Sequence, residues 1–452
     1  MISQAQPYRP ARTIEAIADF IADPVEAAPF LQHVLRYRND QAAAEVGLAH
    51  FDDAAWIAHF GRFEPLPESL PQPLALRYHG HQFRVYNPDI GDGRGFLFAQ
   101  LRDDRDRLMD LGTKGSGQTP YSRFGDGRLT LKGAVREVLA TEMLEALGVA
   151  TSRTFSVIET GEALHRGDEP SPARSAVLVR LNHGHIRIGS FQRLATLGLE
   201  DELRRLVDYA LRHYFADATG DPVVLLRHVA QRTARLAASY MAAGFVHGVL
   251  NSDNINITGE SFDYGPWRFA PTFDAAFTAA YFDHAGLYAF GRQPEAIHWD
   301  VVQLAVALRL IAETDALVDA VEAFGPSYQA ALVDRFLWRL GVRPHGDHRD
   351  LALVQAIETR LIESGQPIDM FFFSNAGGRG GHGELPMLAD YKPAIDLARA
   401  YLQRLEPCSM LIEEVEAIWA PIAEEDDWTV FNAKITDIRQ MREALAKRDV
   451  GP

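Results

Sequence analysis

Five short apolar segments lie close together in the chain: Leu74–Tyr78, Gly95–Leu101, Leu108–Thr113, Arg153–Glu159 and Ser175–Leu181. Each is bounded by Gly, Asp or Pro, as strands are. One helical stretch interrupts them, from about Thr130 to Leu147. There Leu131, Ala134, Val135, Val138, Leu139 and Leu144 recur at helical spacing, and Gly148 supplies the stop. From about Glu200 the pattern turns helical. Asp221 and Pro222 provide a cap and a first-turn proline, Leu226, Val229, Thr233, Leu236, Ala237 and Tyr240 form one face, and Gly244 ends it. Residues up to about Leu70 read as helical pieces leading into a connector rich in proline, and helices resume from Ile297. The expected fold class is α+β, with a small β-rich lobe carrying one helix ahead of a helical lobe. The expected division is a helical extension over 1–72, the small lobe over 73–182, the helical lobe over 183–325 and a second helical extension over 326–452.

Charge narrows the partners. The 452 residues carry 45 basic and 61 acidic side chains, a formal net charge of −16. Such a balance argues against coating nucleic acid or docking on anionic lipid, so an anionic substrate needs a local basic pocket. The one cysteine, Cys408, excludes an intramolecular disulfide and a cysteine-based zinc cage, and it reads as a buried small apolar residue. The opening residues lack the apolar core of a signal peptide, and no run approaches a membrane span. A soluble, cytoplasmic, monomeric protein is expected.

Several motifs carry chemistry. Gly91-Asp92-Gly93-Arg94-Gly95 precedes an apolar strand; its glycines let backbone amides approach phosphate, and Arg94 adds a cation. On its own such a run is an ordinary turn. Lys114 ends the next strand, and Glu137 lies in the single helix of that lobe. A strand Lys paired with a helix Glu positions nucleotide phosphates in kinase folds, whereas unpaired the two are surface charges. Asp126 and Gly127 belong to a second Gly-Asp-Gly turn. Arg180 and Arg187 flank a turn, and two guanidinium groups brought together there suit a phosphate clamp. His79 with His81, and His183 with His185, lack a nearby third ligand and read poorly as metal sites.

The most informative stretch runs from Gly244 to Gly265, GFVHGVLNSDNINITGESFDYG. His247, Asp253 and Asn254 follow the long helix, and Asp263-Tyr264-Gly265 comes after a short apolar strand at Ile255–Ile257. In kinases a loop Asn and the Asp of Asp-Phe-Gly hold magnesium, roles that Asn254 and Asp263 fit. The kinase base, however, stands two residues after His, and that position is Val249 here. Asp253 is the only carboxylate in the loop.

Taken together these residues resemble the selenoprotein O family of protein adenylyltransferases, enzymes with a two-lobed protein-kinase-like fold. The resemblance spans roughly Leu74 to Leu310. It rests on Gly80-His81-Gln82-Phe83, on Gly91–Arg94, on Lys114–Gly117 and on the string Thr119–Arg128. Arg136-Glu137, the His247–Asn254 loop, Asp263–Pro266 and Gln293-Pro294 complete it. It implies ATP bound in reversed orientation, with AMP passed to a Ser, Thr or Tyr hydroxyl of a protein and pyrophosphate released. By motif, Gly91, Gly93, Arg94, Lys114, Asp126, Gly127, Arg180 and Arg187 would bind the nucleotide, and Glu137 would orient Lys114. Asn254 and Asp263 would hold Mg²⁺ or Mn²⁺, and Asp253 would accept the proton.

Departures from that pattern are specific. The usual Gly-Val-Trp is Arg84-Val85-Tyr86 here, which implies a different lid over the nucleotide, and Thr113 precedes Lys114 where Leu is common. Little matches after about residue 325, and the family's cysteine near the C-terminus has no counterpart in the ending Lys447–Pro452. The run Phe371–Gly383 reads as a packed strand and loop, or else a lid with Arg379 and His382 at a mouth. Three other readings stay open at this level: an ordinary phosphotransferase, a nucleotide-binding scaffold without catalysis, and UTP as donor.

Overall fold

The computed structural model describes residues 7–167, 169–382 and 385–446. Its β elements, in chain order, are β1 (Pro10–Ala11), β2 (Ala22–Pro24), β3 (Val34–Arg38), β4 (Leu74–Leu76), β5 (Gly80–Gln82) and β6 (Val85–Asn87). They continue with β7 (Leu97–Arg102), β8 (Leu108–Lys114), β9 (Leu129–Thr130), β10 (Arg153–Leu164), β11 (Ala173–Asn182), β12 (Phe245–Val246) and β13 (Arg268–Phe269), the last two paired only with each other. Among the described residues, nine of these strands form one antiparallel sheet, ordered β2-β4-β7-β8-β11-β10-β3, with β1 beside β7 and β9 beside β11. β5 and β6 form a separate hairpin.

The five apolar segments are all strands of this sheet, and they are apolar throughout because both sheet faces are covered. Phe155, Val177 and Val179 pack with Trp56, Phe60 and Phe98 on one face. Val157, Ala176 and Leu178 pack on the other with Leu131, Val135 and Leu139 from the interposed helix, Leu131–Ala146. Residues buried on both sides of a strand lose the polar alternation of a half-exposed one. The interposed helix starts beside a capping threonine, the Thr130 hydroxyl accepting from the Gly133 amide.

The helical half obeys its local signals. Asp221 caps the helix Pro222–Ala243 through the Val223 amide, and Gly244 ends it at φ 69°. Helices Gln293–Leu308, Phe324–Leu340 and His348–Ser364 follow, and Ile412–Glu425 and Thr429–Leu445 close the described chain. None of the described helices is long and apolar enough to cross a membrane.

Three expectations need correction. Residues 1–72 are not simply helical, because β1, β2 and β3 join the main sheet; their strands are short, too short for periodicity to reveal, and are held by pairing partners far along the chain. The Ile255–Ile257 segment forms no strand, since its one ladder contact is a bridge between Asn256 and Arg187. Phe371–Phe373 lie on the helix Ile368–Ser374, with Phe371 and Phe372 in the core, and Arg379 is tied to the Leu402 carbonyl at 2.9 Å and not set at a pocket mouth. A run of three aromatics cannot distinguish a buried strand from a buried helix. Gly383 and the ending Lys447–Pro452 lie outside the described residues, as does the side chain of His382.

Candidate active site

The sheet and the helical half meet around a cavity of about 740 Å³. Gly91, Gly93, Arg94, Lys114, Asp126, Gly127, Arg180, Arg187, Asp253, Asn254 and Asp263 all line it. Glu137 stands directly behind Lys114.

Pairing in the sheet sets the cationic wall. Lys114 of β8 lies opposite Leu178 of β11, and Gly112 lies opposite Arg180. Residues two apart share a face, so Lys114 and Arg180 project to the same side. Lys114 Nζ is 2.6 Å from Glu137 Oε2 and 3.0 Å from the Tyr264 carbonyl oxygen. Both charges are buried, so this pair is part of the interior and not a surface contact. Burial pulls the Lys114 ammonium below its ordinary pKa, with Glu137 opposing.

Arg180 and Arg187 converge on one carboxylate. Arg180 Nη1 donates to Asp263 Oδ1 and Arg187 Nη1 to Asp263 Oδ2. Both guanidinium groups also lie over the Phe262 ring, at 5.0 and 4.6 Å. Burial alone would raise the Asp263 pKa, but Arg180, Arg187 and Lys114 overwhelm it and hold the carboxyl well below the usual range. Asp263 adopts φ 60°, the left-handed region that non-glycine residues rarely enter and that clusters at functional sites.

The two histidine pairs serve other ends. His185 Nε2 accepts from Arg180 Nε at 3.2 Å, and its Nδ1 faces Asp110 Oδ2 at 3.3 Å. Burial pulls the His185 pKa down, which suits a neutral ring donating to Asp110 and accepting from Arg180. Gly112 makes this possible, since a Cβ there would fall 2.1 Å from His185 Nε2. His183 bonds the Leu108 carbonyl at 2.8 Å, His79 bonds the Tyr86 hydroxyl at 2.7 Å, and His81 bonds Gln192 at 2.8 Å. No cluster of three His, Cys, Asp or Glu suited to a metal occurs among the described residues.

The glycine loop is buttressed by the Thr119–Arg128 string. Thr119 Oγ1 donates to the Asp92 carbonyl and Ser122 Oγ to that of Gly93. A Cβ on Gly91 would strike the Tyr121 ring at 2.5 Å, so this glycine is required by close packing within the protein. Gly127, at φ 70°, packs on the Gly117 backbone. Asp126 is exposed at the cavity edge and paired with Arg166 at 2.8 Å. Arg94 is exposed and has no ion-pair partner among the described residues.

Asp253 is buried beside Arg187, whose Nη1 donates to the Asp253 backbone carbonyl at 2.9 Å. Burial pushes its pKa up to about 6, against the lowering influence of Arg187 and of a Gln82 hydrogen bond. That is the range of a carboxylate poised to accept a proton near neutrality. Val249, at the position of the ordinary kinase base, lines the cavity without chemistry to offer. Asn254 donates its amide nitrogen to the Val249 carbonyl at 3.0 Å, leaving its amide oxygen as the ligating end. An amide oxygen and a carboxylate fit a hard cation such as Mg²⁺, which takes few protein ligands when phosphates supply the others. Cys408 is buried at 2% exposure and burial drives its thiol pKa well up, so it is no reactive thiolate.

Sequence reasoning missed Gly112, Asp110, His185 and Phe262 as supports of the arginines, and Asp300, buried beneath the loop with both carboxylate oxygens unpartnered. Only His185 carried a signal, as half of a His-x-His pair read for metal.

The chain is similar to known proteins over nearly its whole length. The family model described as protein adenylyltransferase SelO matches residues 6–376. A "Protein nucleotidyltransferase YdiU" of Synechococcus elongatus is 42% identical, covering 99% of this chain and 97% of its own length. Proteins of the same name from Gloeobacter violaceus and Pseudomonas aeruginosa are 42% and 40% identical, over 96% and 71% of this chain and 95% and 65% of theirs. The likeness therefore extends well beyond Leu310.

Proposed function

The chain belongs to the SelO family of protein adenylyltransferases, and from that premise we propose that it transfers AMP from ATP to Ser, Thr or Tyr hydroxyls of other proteins. The reading includes a two-lobed kinase-like fold, with lobes over 73–182 and 183–325 between two extensions. The observation that supports it most is the position of Arg180 and Arg187. Both are buried, at 4% and 2% exposure, and with Lys114 they give one end of the cavity a charge suited to a β,γ-diphosphate tail. Arg94, at the exposed side, suits the α-phosphate.

In the reaction the acceptor oxygen forms its bond to the α-phosphorus while the bond to the bridging oxygen of pyrophosphate breaks. Asp253 takes the hydroxyl proton. Lys114, Arg180 and Arg187 stabilise the charge that grows on the leaving pyrophosphate, interactions that strengthen in the transition state. Glu137 keeps Lys114 in place by their 2.6 Å contact. Asn254 and Asp263 would hold Mg²⁺ or Mn²⁺, which supplies charge neutralisation at the phosphates.

Incubation with a protein acceptor and ATP labelled at the α- or the γ-phosphate tests the reading. Retention of the α label is expected. Retention of the γ label alone would make this an ordinary phosphotransferase, and retention of neither, with nucleotide still bound, would make it a scaffold. Substituting α-labelled UTP in the same assay reads the base preference.

A further inference from the structure

The hairpin β5–β6 lies against the loop that carries Asp253, and the two are joined residue by residue. The His81 amide donates to Ser252 Oγ at 2.8 Å, Gln82 Nε2 to Asp253 Oδ2 at 3.4 Å, and the Phe83 amide to Asn251 Oδ1 at 3.0 Å. Three consecutive hairpin residues thus serve three consecutive loop residues. The contacts are secured from behind. Ser252 Oγ donates to Gln192 Oε1 at 2.6 Å, and Tyr288 Oη donates to Asn251 Oδ1 at 2.7 Å. The hairpin tip is pinned as well, with Arg84 Nη2 3.0 Å from Glu295 Oε1.

The Gln82 carboxamide has its own orienting chain. The Asp89 amide donates to Asn87 Oδ1 at 2.9 Å, and Asn87 Nδ2 donates to Gln82 Oε1 at 3.0 Å. With its oxygen occupied, Gln82 can present only its NH₂ end to Asp253. The other carboxylate oxygen, Asp253 Oδ1, is buried without a partner and sealed by Gly80, where an added Cβ would fall 2.8 Å from it. Oδ2 is therefore the oxygen left to face the cavity.

We propose that Gln82, aimed by Asn87, is a positioning residue that fixes the rotation of the Asp253 carboxylate so that Oδ2 meets the acceptor hydroxyl. The inference rests on the role of Asp253 given above. It assigns the hairpin to the base, and not to a lid over the nucleotide as the departure at Arg84-Val85-Tyr86 implied.

A double-mutant cycle combined with crystallography tests it. Gln82→Ala is expected to lower kcat about tenfold with the KM for ATP within about twofold, since misplacement of a reacting group costs rate and not ground-state binding. Asn87→Ala is expected to change kcat in the same direction by less. In the Asp253→Asn background, Gln82→Ala is expected to cost nothing more, because a residue that acts through another is silent once that other is gone. Additive losses, or a change confined to KM, would overturn the proposal. Crystal structures of the wild type and Gln82→Ala decide independently of turnover: a rotated or doubled Asp253 carboxylate is expected, and an unchanged single rotamer would refute it. Failure of the function itself is seen separately, as absence of α-label transfer by the wild type.

Discussion

Arg187 and Asp263 are bonded to each other in the wall of the cavity, Nη1 to Oδ2. One side chain suits phosphate and the other suits a metal ion, and paired as they are each neutralises the other. Arg180 makes the same kind of bond to the other oxygen of Asp263. In the proposed reaction, binding of a metal–nucleotide complex would exchange these bonds for arginine–phosphate and aspartate–metal contacts.

Replacing Asp263 by Ala is expected to abolish transfer. The same change leaves two buried arginines without their shared anion, so stability of the nucleotide-free protein should fall by about 3 kcal/mol, the usual cost of removing one partner of a buried ion pair. Thermal unfolding with and without metal-free ATP checks the second part: the anion should restore more stability to the variant than to the wild type. Activity equal to wild type would remove Asp263 from the metal site.

Arg180→Ala and Arg187→Ala are each expected to weaken ATP binding by about tenfold or more while changing AMP binding little, since a charge-assisted bond to the lost phosphates contributes about 1.5–3 kcal/mol. Calorimetric titration with both nucleotides is the measurement. Equal losses would place the β- and γ-phosphates elsewhere.

His185 should behave as a support for Arg180. Its Nε2 receives Arg180 Nε at 3.2 Å, so His185→Ala is expected to reproduce the Arg180→Ala selectivity in weaker form. His185→Gln, which keeps an acceptor, should recover part of it. Loss of metal content in either variant would instead mean that the histidine is a ligand.

The carboxyl of Asp253 imposes a pH-dependent cost. Its pKa rises from the ordinary 3.8 to about 6 on folding, so the folded protein holds the proton more tightly than the unfolded chain. The sign follows: stability falls as pH rises from about 4 to about 6 and stays lower above that range. Asp253→Asn removes the cost, on the order of 3 kcal/mol for a shift of about two units. Unfolding of the nucleotide-free variant at pH 7.5 should occur at higher temperature than that of the wild type, and the difference should vanish at pH 4. In the wild type, transfer should decline as pH drops through about 6.

Much of the molecule was legible in advance where the signal is local. The helix start near Thr130, the cap at Asp221, the stop at Gly244 and the five apolar strands each depend on a few adjacent residues, and each stands where expected. The strands at Pro10–Ala11, Ala22–Pro24 and Val34–Arg38 did not show, because they are extended only through partners such as Gln100, Leu76 and Tyr37's neighbour Val157 across the sheet. Phe371–Phe373 misled because an unbroken apolar run has no period.

What the sequence determined by itself was the inventory: the cations Arg94, Lys114, Arg180 and Arg187 in a chain of net charge −16, the loop carboxylate Asp253, and the oxygen-bearing side chains Asn254 and Asp263. Only the tertiary structure decided how they are held. Lys114 is paired to Glu137, Arg180 is propped by His185 against Gly112, and both arginines close on Asp263. Gln82 faces Asp253 from 171 positions earlier in the chain. The physical reason is range: capping and periodicity act over one or two turns of chain, whereas the desolvation and charge pairing that tune this cavity depend on distances that exist only after the sheet and the helices have closed around it.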